Sequence, residues 1–363
     1  MADRAYLVLD NGDVFEGWSF GASGEVVGET VFTTGMTGYL ETLTDKSYYG
    51  QIITQTFPLI GNYGVIPADF ESAEPAARGY IVRQWCQDPS NFRSEGDLDA
   101  FLRDNGVVGL YGIDTRRLTK ILREHGTMNG KITNTRPDGV PDDVRNFAIE
   151  HAVASCSTPS AYSVEGTGTH RIALMDYGIK LNILRELQTR GREVRVFPHD
   201  APADEVIAFA PDGIMLSNGP GDPRDPENAV IVDNLKVLCR SGIPIFGICF
   251  GNQLLAMAHG FAIEKLHYGH RGANQPVKDA TTGRVHITTQ NHGYAVVSAS
   301  IDAAIADEWM TNVNDGTNEG VIYKNAPIRS VQFHPEAAAG PRDTMWLFDA
   351  FAEMMGRQLT VDN

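Results

Sequence analysis

A chain of 363 residues, 42% of them hydrophobic, is long enough to bury two cores and has the composition of an ordinary globular protein. Its formal net charge of −16 argues against non-specific binding to nucleic acid or to an anionic membrane. The longest apolar runs, such as 243–250, fall far short of the roughly twenty residues that a membrane span needs. Four cysteines, Cys86, Cys156, Cys239 and Cys249, lie without pairing or metal-ligand spacing, and Met1-Ala-Asp-Arg4 leads into an apolar stretch that lacks a signal-peptide cleavage site. A reducing, cytoplasmic location is therefore expected.

The chain opens with β signals. Tyr6-Leu-Val-Leu9, a turn at Asp10-Asn-Gly-Asp13, and Val14-Phe-Glu-Gly-Trp18 predict a hairpin. Glu29-Thr-Val-Phe-Thr33 and Gln51-Ile-Ile-Thr-Gln-Thr-Phe57 read as further strands, separated by a stretch rich in glycine and small polar residues that includes Ser47. Helical character follows at Ala100-Phe-Leu-Arg103, stopped by Gly106, and at 115–123, for which Asp114 is the expected N-cap. This first half reads as a mixed α+β domain, and no stretch of it looks catalytic by itself.

A run poor in apolar residues and rich in Ser, Thr, Gly and Pro marks a boundary, which predicts domains at 1–152 and 170–358 with a linker at 153–169. Beyond it, strands at 171–175, 194–197, 213–216 and 244–248 alternate with helices at 179–190, 203–208 and 228–239. That order implies an α/β domain with a mostly parallel central sheet, helices on both faces, and reactive groups at the carboxyl ends of the strands.

The last of those strands feeds Gly247-Ile-Cys249-Phe-Gly251, the G-x-nucleophile-x-G spacing of a nucleophile elbow with sulfur as nucleophile. A sharp strand-to-helix turn strains its apex and crowds the residues two before and two after, where glycine removes the clash. The turn is expected to leave the sulfur at the mouth of the sheet, near the positive end of a helix, where thiolate is favoured. A buried structural cysteine between two incidental glycines fits the motif alone equally well. Strand 213–216 runs into Ser217-Asn-Gly219-Pro-Gly221-Asp-Pro223, either a plain tight turn or, with Phe250, the source of N–H groups for an oxyanion. After the elbow, strands are expected at 285–288, 295–298, 320–323 and 328–333. The last delivers His334-Pro-Glu336, where a carboxylate two residues from an imidazole in an extended segment would share its side and fix its tautomer. The competing reading is a strand-end turn carrying surface groups. Other histidines lack an acidic residue two positions on, and His267-x-x-His270 has no clear third ligand, so no metal is expected.

Taken together, Gly-Ile-Cys249-Phe-Gly-Asn-Gln253, Asn218-Gly-Pro-Gly-Asp222, Gln290-Asn-His-Gly293-Tyr294 and Phe333-His-Pro-Glu336 resemble the motifs of the class I glutamine amidotransferase family, in the same order. In the first half, Thr37-Gly-Tyr-Leu-Glu-Thr-Leu-Thr-Asp45-Lys-Ser47, Pro58-Leu-Ile-Gly-Asn-Tyr-Gly64 and Gly112-Ile-Asp-Thr-Arg-Arg-Leu-Thr119 are similar to the small-chain family of carbamoyl-phosphate synthetases. Asn252 and Gln275 stand where histidine is often found, and Phe250 where leucine is common. The resemblance implies a Cys249, His334, Glu336 triad that hydrolyses glutamine. It further implies a glutamine pocket of Ser47, Gly219, Gly221, Phe250, Gln253, Asn291, Gly293 and Tyr294, with Ser47 bringing the first domain into the site. It also implies a large synthetase chain as obligate partner, with ATP and Mg used there and no cofactor in this chain. No nucleotide-binding G-x-x-x-x-G-K-[ST] loop occurs in the sequence.

Overall fold

The computed structural model describes residues 3–168, 170–337 and 339–357, which divide into two units. The first unit contains the residues up to 152 together with 267–272, and the second contains 153–266 and the residues from 273 onward.

In the first unit the expected hairpin forms. Strands β1 (Arg4–Leu9) and β2 (Val14–Gly21) pair antiparallel, with Gly12 at φ +90° in the turn between them. They belong to a closed barrel completed by β3 (Val26–Thr33), β4 (Gln51–Gln55), β5 (Gly79–Val82), β6 (Val108–Tyr111) and β7 (Met128–Thr133), in the order β1-β2-β6-β5-β4-β3-β7. Closure leaves no free sheet edge, which a small set of short strands needs. Neighbouring residues alternate between two apolar clusters: Ile52, Ile81 and Leu110 fall in one, Ile53, Tyr80 and Val82 in the other. Helix α1 (Thr115–His125) starts where expected, with the Asp114 carboxylate accepting from Arg117 N at 2.9 Å, and adds Leu118 and Leu122 to the first of those clusters. The segment 267–272 is fastened to this unit by its backbone: His267 O accepts from Thr127 N at 3.1 Å and Arg271 O from Thr34 N at 3.4 Å. Gly126 permits this approach, since a Cβ there would lie 2.8 Å from His267 O.

The second unit is built on a ten-stranded sheet, one strand of which, 263–279, includes the residues 267–272 counted with the first unit. Its strands are β8 (Tyr162–Val164), β9 (Arg171–Asp176), β10 (Glu193–Pro198), β11 (Gly213–Leu216), β12 (Ile245–Ile248), β13 (Ile263–Asp279), β14 (Val285–Val296), β15 (Ala306–Asn312), β16 (Asn318–Tyr323) and β17 (Ile328–Val331). They run in the order β8-β10-β9-β11-β12-β17-β16-β15-β13-β14. The run from β10 to β17 is parallel, as the alternating pattern predicts. Both faces are covered. Ile172, Leu174, Met215 and Phe246 face a cluster with α2 (Leu181–Thr189) and α5 (Trp346–Arg357). Ala173, Met175, Ile214 and Ile245 face another with α3 (Ala229–Leu238) and α4 (Phe250–Ala258).

Several elements differ from expectation. Within the stretch read as a linker, 162–164 forms an edge strand, paired antiparallel with β10. The two short strands expected at 285–288 and 295–298 are one continuous strand through Gly293. Strands β13 and β15 and helix α5 have no counterpart in the sequence reading. Strand β17 ends at Val331, so His334-Pro-Glu336 is a turn and not an extended segment.

Candidate active site

Register alone gathers three loops. Leu216 of β11 lies opposite Gly247 of β12, and Ile248 opposite Val331 of β17. The carboxyl ends of three adjacent parallel strands therefore deliver the Ser217–Pro223 turn, Cys249 and the Gln332–Glu336 turn to one place. Cys249 N donates to Val331 O at 2.8 Å, which ties the elbow to the neighbouring strand end.

The elbow has the strained geometry its glycines anticipate. Cys249 sits at φ +54° and ψ −101° as N-cap of α4, a conformation that side-chain-bearing residues rarely adopt. A Cβ on Gly247 would lie 3.0 Å from the carbonyl carbon and oxygen of Gly251, and one on Gly251 would lie 2.7 Å from Leu216 O. Burial alone does not separate a nucleophile from a structural cysteine, because Cys249 is only 2% exposed and is not at an open mouth of the sheet as expected. What sets this cysteine apart is its left-handed backbone together with the imidazole and amide groups near its sulfur.

His334 and Glu336 come together by the turn. His334 N donates to Thr289 O at 2.9 Å, Ala337 N returns to His334 O at 3.3 Å, and the His334 Nδ1 lies 2.7 Å from Glu336 Oε1. Both side chains are fully buried. Asn182, at the start of α2, donates its side-chain amide to Glu336 O. Nδ1 being taken by the carboxylate, the buried Nε2 is the nitrogen left for the Cys249 sulfur. Burial and the Lys180 ammonium push the imidazole pKa down, but the Glu336 carboxylate and the Cys249 sulfur outweigh them and raise it to about 10. This pairing favours imidazolium beside sulfur.

The Ser217–Pro223 turn is locked to its surroundings by side chains of its own. Ser217 O accepts from Gly251 N at 3.0 Å and Ser217 Oγ from Tyr177 N at 2.9 Å, while Asn218 Oδ1 accepts from Lys180 N at 3.0 Å. Gly219 is pressed between Tyr177 and Phe250, where a Cβ would lie 2.6 Å from Tyr177 O and 3.2 Å from the Phe250 ring. Gly221 takes φ +86° in the same turn. Asp222 is held below its usual pKa: burial pushes it up, and hydrogen bonds from Arg224 more than offset that. The Arg224 guanidinium in turn lies 5.2 Å from the centre of the Tyr294 ring.

On β14, Asn291 O is 3.7 Å from the Cys249 sulfur and Tyr294 O accepts from Gln253 Nε2 at 2.8 Å, with Gly293 between those two residues. Ser47, also predicted to contact substrate, belongs to the first unit, in the turn Lys46–Tyr48, where its N–H donates to Asp45 Oδ1 at 2.9 Å. Two residues escaped the sequence reading. Lys180 acts on His334 through its charge, and Gln332 donates from Nε2 to the sulfur at 3.5 Å. The signal for Gln332 was its place two residues before His334 at the exit of a buried strand.

Comparison with known proteins agrees along nearly the whole chain. Residues 7–132 match the family model described as carbamoyl-phosphate synthase small chain, CPSase domain, and residues 173–354 match that of glutamine amidotransferase class-I. The carbamoyl phosphate synthase small chain of Clostridium perfringens is 52% identical over 350 residues, covering 96% of this chain and 98% of its own. That of Bacillus caldolyticus is 47% identical over 356 residues, covering 97% of this chain and 96% of its own. The Listeria monocytogenes small chain is likewise 47% identical over 356 residues, covering 97% of each. With domain models matched in this order and such identity end to end, the chain belongs to the carbamoyl-phosphate synthase small-chain family and carries a class I glutamine amidotransferase domain.

Proposed function

We propose that this chain is the glutaminase subunit of its synthase and that Cys249, His334 and Glu336 are its catalytic residues. The observation that carries this reading is the strained Cys249 apex next to an imidazole whose far nitrogen is held 2.7 Å from a buried carboxylate. His334 takes the thiol proton, and the Cys249 sulfur forms a bond to the side-chain carbonyl carbon of glutamine as the C=O π pair moves onto oxygen. Phe250, the first residue of α4, has an N–H with no acceptor inside its own helix, and with the Gly221 N–H it receives the oxyanion. Collapse breaks the C–N bond, His334 protonates the nitrogen, and ammonia leaves a thioester. Water, deprotonated by His334, then releases glutamate and restores the thiol. Glutamine is held by Gly219, Gly221, Gln253, Asn291, Gly293 and Tyr294.

Ammonia free in neutral water is mostly protonated and has no lone pair with which to attack. A partner that takes it directly avoids that loss, so the chain is assigned a large synthetase partner that uses ATP, Mg and bicarbonate to make carbamoyl phosphate for arginine and pyrimidine synthesis. The test is glutamate release from glutamine by wild type and Cys249→Ser, each with and without the large chain. Release is expected to rise with the partner and to fall at least about 10³-fold in the variant. Equal release by both proteins would reject the reading.

A further inference from the structure

Four buried amide and hydroxyl side chains form a single chain of hydrogen bonds that ends on the sulfur. Gln253 Nε2 donates to Tyr294 O at 2.8 Å and to Gln332 Oε1 at 3.1 Å; Asn252 Nδ2 donates to the same Gln332 oxygen at 3.2 Å; Ser330 Oγ bonds Asn252 Oδ1 at 2.7 Å. Gln332 closes the series with Nε2 at 3.5 Å from Cys249 Sγ, and its own N–H donates to Glu319 O at 2.9 Å. Asn252, Ser330 and Gln332 are completely buried, so none can turn to water for a partner.

The direction of this series is set by a group that cannot flip. Tyr294 O is a backbone carbonyl and only accepts, so the Gln253 end that meets it must be the NH₂. That same NH₂ meets Gln332, which must then present its oxygen. The other end of the Gln332 amide, the one against the sulfur, is therefore an N–H donor. A thiolate accepts such a bond well and a thiol poorly, so the bond favours the ionised form. Competing with it, Asn291 O at 3.7 Å is an acceptor that suits the thiol.

We propose that Gln332 is a positioning residue for the reaction: its amide, oriented through Gln253 by the Tyr294 carbonyl, holds an N–H donor on the Cys249 sulfur and favours the thiolate. The inference rests on the glutaminase reading. Other charged and titratable groups on the elements around the sulfur are His334 and Glu336 in the turn after β17, Arg329 on β17, Lys180 before α2, His286, His292 and Tyr294 on β14, and Glu319 and Tyr323 on β16; the first turn of α4 carries none.

The test uses the full chain and iodoacetamide. The rate of Cys249 alkylation is followed against pH in wild type, Gln332→Met and Gln332→Glu, with the other three cysteines distinguished by peptide mass, and kcat and KM for glutamine are measured beside it. In Gln332→Met the alkylation midpoint is expected to rise by about one pH unit and kcat at neutral pH to fall about tenfold, with KM changed by no more than about threefold. Gln332→Glu, which sets an acceptor against the sulfur, is expected to shift the midpoint further. A folded Gln332→Met with an unmoved midpoint would show that the residue only packs. Should both variants fail to fold, the wild type decides: the Gln332 side-chain amide protons must shift on alkylation of Cys249, and protons that stay in place overturn the proposal. Alkylation needs no glutamine. A moved midpoint in a protein that releases no glutamate would sink the glutaminase reading alone, and normal release with an unmoved midpoint would sink this one alone.

Discussion

At the level of single residues, the site turns on how His334 is charged. Its pKa is raised above the ordinary value near 6.5, to about 10, although burial and Lys180 act the other way. A raised folded-state pKa contributes stability that is complete below about 6.5 and is lost as pH rises through about 10. Glu336→Gln isolates the carboxylate. The amide oxygen still accepts from Nδ1, so the ring keeps its orientation, but the attraction that opposes burial is gone. The imidazole pKa should fall, the alkaline loss of stability should move to lower pH, and kcat should drop about tenfold with KM less affected. Thermal denaturation across pH, together with the kcat profile, checks this; an alkaline limb that does not move would mean that the carboxylate only orients the ring. The His-Glu pairing was legible in the sequence as a two-residue spacing, but the physical route differed. Strand parity was the expected cause, whereas the chain leaves β17 at Val331 and a turn closed by Ala337 N on His334 O makes the contact.

Elements were legible where one physical signal governed them. Buried parallel strands such as β9, β11 and β12 are short unbroken apolar runs, and α1 carries its own N-cap, so their places followed from local chemistry. Strand β13 has no such signal: His267, Gly269, Gly272 and Pro276 interrupt it, and its pairing with β15 is set by tertiary partners. The first unit shows the same limit, since nothing local says that seven strands close into a barrel. The elbow is the opposite case, because its two glycines predicted a crowding that can be measured. Gly251→Ala would place a Cβ 2.7 Å from both Leu216 Cβ and Leu216 O, in a contact with backbone that cannot swing aside. A destabilisation of about 1–3 kcal/mol is expected, with a larger proportional loss of activity because Cys249 is displaced. Gly356→Ala is the control: its Cβ meets nothing within 4 Å and lies in α5, so it should stabilise by roughly 0.5–1 kcal/mol. Chemical denaturation midpoints that fail to separate the two variants would undercut the steric account of the elbow.

For the molecule as a whole, the division into units does not follow the order of the chain. After leaving the first unit at 152, the chain returns to it for 267–272. Cutting the sequence at its linker therefore does not yield two intact bodies: a fragment beginning at 153 would keep Tyr268 without the groups that cover it. Those groups are specific. The Tyr268 ring lies 5.9 Å from that of Phe32 and under the Arg123 guanidinium at 5.8 Å, and it packs against the apolar cluster that also takes in Leu118 and Leu122 of α1. Tyr268→Ala in the full chain removes this half-buried ring while leaving the backbone bonds of His267 and Arg271 in place. The expected cost is about 1–2 kcal/mol, and it should fall on elements far away in sequence: hydrogen exchange should quicken in β3 and α1, whose residues meet the ring, and stay near the wild-type rate in β11 and β12. Contacts, not proximity along the chain, determine that outcome. If exchange instead quickened first in the parts of β13 on either side of 267–272, the segment would be cooperative with the second unit's sheet, and the assignment of 267–272 to the first unit would be wrong as a statement about energy.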